Sequence, residues 1–110
     1  MRRQTYRGPD SALTFVLEDG DDGDTILSFD YPWHTHADLL ACWYDQPRES
    51  ATETFVTDLL NDRIVIVVAR RGGVIEDISI TFGPVSEHRY TPDGQSIELR
   101  YWSGTPWKSA

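Results

Sequence analysis

The chain holds a single cysteine, Cys42, among its 110 residues. That excludes an internal disulfide, a cysteine-built zinc ribbon and a C-x-x-C redox pair. It fits a reducing, cytoplasmic environment. Basic residues are also scarce: 10 Lys and Arg stand against 18 Asp and Glu, for a net charge of −8. A chain so short of cations is a poor direct ligand for nucleic acid, whose phosphates require Lys and Arg. Long apolar runs are missing. The longest is IVIVVA, Ile64 to Ala69, far below the ~20 residues of a membrane span. The opening residues, MRRQTYRG, lack an apolar continuation, so neither a secretory nor a twin-arginine signal is expected. No G-x-S-x-G, H-E-x-x-H, P-loop or G-x-G-x-x-G pattern occurs.

What is present describes one globular domain over residues 1–110, with 1–8 and 104–110 expected to be loosely ordered. A 12% aromatic content argues against disorder. LTFVLE, Leu13–Glu18, and TILSFDY, Thr25–Tyr31, alternate apolar and polar residues. That periodicity predicts two strands, joined by the turn-rich DGDDGD into a hairpin with one wet face. HTHADLLACWYD then places Ala37, Leu40, Ala41 and Tyr44 at helical spacing, with Thr35 and Asp38 in the positions of a capping box. A second box, Ser50 and Glu53, opens SATETFVTDLLNDR, whose stripe is Ala51, Phe55, Val56, Leu59 and Leu60, with Asn61 as the stop. RIVIVVAR is apolar on both faces and predicts a central strand. Gly72-Gly73 predicts a two-residue hairpin turn before VIEDISITF. VSEHRY is a weaker strand, TPDG a turn, and SIELRYW a last strand with Ile97, Leu99 and Tyr101 inward and Glu98, Arg100 and Trp102 outward. The order ββααββββ predicts a two-layer α+β domain. Its mainly antiparallel sheet of about six strands carries two helices on one face.

Four features bear on function. His34, His36 and Asp38 follow an apolar run, and TILSFDYPWHTHADLL resembles part of the H-x-H-x-D-H metal motif of metallo-β-lactamase-like hydrolases. Leu39 stands where that motif has its last histidine, and the further downstream ligands are missing, so the residues do not assign the chain to that family. His34, His36 and His88 would still supply three ligands to a divalent metal such as zinc, given an extended backbone through His36. With Thr35 as a helix cap, the two neighbouring histidines diverge. Second, EDGDDGD puts five acids in seven residues, but no register satisfies a calcium-binding EF-hand loop. Asp19, Asp21, Asp22 and Asp24 instead offer a docking patch for a basic partner. Third, Trp102, read as outward, and Trp107, in the tail, are candidate interface anchors among Trp33, Trp43, Trp102 and Trp107. Fourth, Cys42 lies mid-helix, away from any helix N-terminus or base, and reads as a small core residue.

These residues point first to a small acidic cytoplasmic binding protein, of the toxin-immunity or phage-inhibitor kind, acting through protein–protein contacts with a basic partner and needing no cofactor. The alternatives are a metal-dependent hydrolase-like enzyme built on His34, His36 and His88, and a structural homodimer.

Overall fold

A computed structural model describes residues 3–9, 13–20, 23–31, 33–81 and 94–107. The strand expected over residues 85–90, with His88, and the acids Asp21 and Asp22 lie outside these. The architecture is α+β. Among the described residues the strands are antiparallel and divide into two sheets rather than one.

The first sheet runs in sequence order. It contains β1 (Arg3–Arg7), β2 (Thr14–Asp19), β3 (Thr25–Phe29) and β4 (His34–His36). The expected hairpin is β2–β3, in register Phe15 to Phe29 and Leu17 to Leu27. Its inner face is apolar: Leu13, Phe15 and Leu27 are fully buried, and Leu17 and Phe29 nearly so. The strand β1 was not expected. Its sequence, RQTYR, shows no apolar alternation, and pairing with β2 at Arg3–Glu18 and Tyr6–Phe15 holds it in place.

The helices α1 (Ala37–Tyr44) and α2 (Arg48–Leu60) lie over that inner face. Phe55 of α2 is fully buried, its ring 5.8 Å from that of Phe15. The Tyr44 hydroxyl ties the helices together by donating to Asp58 Oδ2 at 3.4 Å. Burial first, and then the Asp58 carboxylate, push the Tyr44 phenol from 10.0 up to about 12. The folded state thus holds this proton more tightly than the unfolded chain. The contribution is complete below about pH 10 and is lost as pH rises through about 12. Urea midpoints should fall across that window in the native chain and fall less in Tyr44→Phe; parallel falls would show that other groups carry the alkaline loss.

Neither expected capping box forms. Thr35 belongs to β4, is 2% exposed and pairs with Leu27 on the core side. The residue capping α1 is His36, without a side-chain cap bond, and α2 starts after Pro47, which places Ser50 and Glu53 inside the helix. Pro47 holds φ at −56°, already close to the helical value, so the helix begins at the next residue. Asn61 ends α2 as expected, its Nδ2 donating to the Thr57 carbonyl at 2.7 Å.

The second sheet has β5 (Ile66–Arg71) in the centre, flanked by β6 (Val74–Ile80) and β7 (Gln95–Arg100). Gly72 and Gly73 form the two-residue turn, with φ of 58° and 82°, the left-handed values that this turn demands. As its sequence predicts, β5 is buried on both faces. Ile66 and Val68 join Ile78 and Ile80 in a core continuous with the inner face of the first sheet and the helices. At the hairpin end, Glu76 accepts hydrogen bonds from Gln95 and Arg71 at 3.0 and 2.7 Å, clamping the three strands together. Those bonds, Gln95's first, hold its carboxyl below the ordinary range.

The facing of β7 departs from the expected one at Arg100, while Glu98 is exposed as expected and Ile97 and Leu99 are partly buried. Register places Arg100 beside Ile66 and Glu98 beside Val68, while Leu99 and Ile97 pair with Val67 and Ala69 on the opposite face. Arg100 is 5% exposed. The strand stops there, and the next residues turn back: Tyr101 N–H donates to Thr105 and Gly104 N–H to Tyr101. Trp102, two positions on from Arg100, lies on the same side and enters the core at 6% exposure.

Candidate functional site

The described residues on either side of the acidic turn between β2 and β3 are bonded to one another and to their neighbours. Gly20 N–H donates to the Asp24 carbonyl at 2.7 Å, and Gly23 N–H to that of Gly20 at 3.2 Å. Asp19 Oδ1 accepts from the Thr25 hydroxyl at 2.8 Å. Asp24 Oδ2 meets His36 Nδ1 at 2.6 Å. Asp19 and Asp24 are both partly buried, so these two of the four acids expected to steer a partner already hold intramolecular bonds.

His36 occupies the last position of β4, with φ −119° and ψ 152°. The backbone is thus extended through the histidine pair, the condition under which both rings share a face. Their centroids are 5.1 Å apart and the planes meet at 75°. Across the ladder, His34 pairs with Ser28 and His36 with Ile26. This outer face is the wet one, and Ile26 is 39% exposed on it. Among the described residues, no group of three or more His, Cys, Asp and Glu converges as metal ligands. Asp38 takes no part: its carboxylate pairs with Arg48 at 3.3 Å, joining the starts of the two helices.

Continuing from His36, α1 turns Leu40 inward and leaves Leu39 and Trp43 outward, one turn apart, at 56% and 51% exposure. Cys42, expected in the core, is exposed beside them. The tryptophans thus exchange roles. Trp102, expected as a surface anchor, is in the core; Trp107 is half-buried, its backbone N–H donating to the Leu99 carbonyl at 2.9 Å. Trp33 packs 5.9 Å from Phe29. Among the described residues the exposed tryptophan is Trp43, and its signal was available in the sequence. A stripe of Ala37, Leu40, Ala41 and Tyr44 turns positions 39 and 43 toward solvent.

A cleft of about 350 Å³ lies beside the acidic loop, lined by Asp19, Gly23, Thr25, Ala37, Arg48 and Glu49. Its charged walls lack the apolar lining that holds most small organic ligands. The chain as a whole is acidic, with a net charge of −8. The arginines Arg3, Arg48, Arg63, Arg70 and Arg71 each pair with an acid, which leaves the net excess of carboxylates to set the field. No helix among the described residues is long and apolar enough to cross a membrane. Comparison of the chain with models of protein families, with curated proteins and with solved structures finds no match.

Proposed function

We propose that this is a small acidic binding protein of the cytoplasm, an inhibitor of the immunity-protein or phage-inhibitor kind, that docks on a basic protein through the exposed ridge of α1. The observation that carries the reading is Trp43 standing half-exposed one helical turn from Leu39, on a chain of net charge −8. Interface energy concentrates in a few aromatic anchors ringed by polar residues, and tryptophan is prominent among them. Exposed acids, Asp38 and Asp45, stand at either end of this helix. Carboxylates there would speed encounter with a cationic surface and leave most of the affinity to the apolar centre.

The test is capture from the source cell's lysate on the immobilised protein, at low and high salt, with Trp43→Ala in parallel. One basic protein should be retained by the native chain, with association slowed by salt. Trp43→Ala should weaken that complex about 30-fold, roughly 2 kcal/mol. Its urea midpoint should move by less than ~0.5 kcal/mol, because the side chain is on the surface. Retention that ignores both salt and Trp43 would overturn the reading. So would a native chain whose mass in solution is that of a dimer closed through this ridge.

A further inference from the structure

The geometry points to a second site, on the outer face of the first sheet: His34 and His36 form a two-histidine chelate for a divalent transition-metal ion, with Asp24 orienting His36. Three independent features build it. The ladder to β3 fixes β4 at both histidines, and Thr35 between them is locked into the core at 2% exposure. With the middle residue held inward, both neighbours must face out, because strand side chains alternate. Their rings stand 5.1 Å apart, a separation that lets one ion reach a nitrogen of each.

The third feature is the Asp24 contact. A carboxylate ion only accepts hydrogen bonds, so the 2.6 Å contact suits a ring that donates from Nδ1. With Nδ1 turned to Asp24, Nε2 is the nitrogen left to ligate, the arrangement in which carboxylates orient metal-binding histidines. The His36 side chain remains 42% exposed, so an ion enters from solvent without any rearrangement of the core. Imidazole pairs select copper, nickel and zinc over magnesium and calcium, which prefer oxygen. Two protein ligands leave the other coordination positions to water, an open site. The site does not depend on the α1 ridge or on a partner.

Titration calorimetry of the tag-free full chain with Cu2+, Zn2+ and Mg2+ tests the assignment. Cu2+ should bind one to one and more tightly than Zn2+, and Mg2+ should give no heat. His34→Ala and His36→Ala should each fall to the background set by the double variant. Asp24→Asn should lose about 10–100-fold in affinity, as expected when the residue orienting a ligand is removed. His88→Ala should bind as the native chain does. Cu2+ should also broaden the ring signals of His34 and His36 in proton NMR, a readout that does not rely on any variant folding. Native affinity no greater than that of the double variant would overturn the site. So would binding lost in His88→Ala but kept in His34→Ala, and an unchanged Asp24→Asn would remove Asp24 from it.

Discussion

Alanine in place of Trp102 should lower the unfolding free energy by about 3–5 kcal/mol, the cost of truncating a large buried aromatic. The indole is 6% exposed and belongs to the same cluster as Ile66, Ile80 and Leu59. Its removal leaves a cavity at the end of the second sheet, where the chain has already turned out of β7. A domain of this size holds only about 5–15 kcal/mol in total, so the variant should be marginal at room temperature. Urea melts should show a much lower midpoint with little change in slope. A tryptophan serving as a surface anchor would do the opposite, costing less than ~0.5 kcal/mol of stability and most of the binding. Trp43→Ala and Trp102→Ala are thus a matched pair whose losses should fall on different measurements.

Phe55→Ala should cost a similar amount, again about 3–5 kcal/mol. The side chain is fully buried, and it joins α2 to the first sheet through Phe15, whose ring is in turn 5.2 Å from that of Phe29. The tilted and edge-on contacts of that row add about 0.5–1.5 kcal/mol each beyond simple burial. Leucine at position 55 keeps most of the volume and should cost less than half as much as alanine. Near-ultraviolet circular dichroism should lose aromatic signal in Phe55→Ala before helix content falls, since α2 keeps its own backbone bonds. A loss below ~1 kcal/mol would mean that the helix is not held through this row.

Local chemistry made several elements legible. The β2–β3 hairpin, the Gly72-Gly73 turn, the buried β5 and the stripe of α2 each follow from a period or a turn residue that acts over a few positions. The three-residue β4 did not show, because Thr35 and Asp38 satisfy a capping pattern as well as they satisfy a strand followed by a helix. The competition is settled by Leu27, which draws Thr35 into the core row across the ladder. The same event decides the candidate metal site, since it turns both histidines outward.

The sequence by itself determined the α+β class, the antiparallel hairpins, the acidic charge and the apolar faces of most elements. These depend on periodicity, turn stereochemistry and composition, all of which act along the chain. Only the tertiary structure decided that the strands divide into two sheets, that RQTYR adds an edge strand, and which face of β7 meets the core. Period two separates the two faces of a strand but carries no phase when its neighbour β5 is covered on both sides, with Val67 at 5% exposure and Val68 at 1%. The exchange of Trp102 for Trp43 as the open aromatic has the same origin. Burial is set by what comes to lie across the fold, and that is absent from any stretch of sequence read alone.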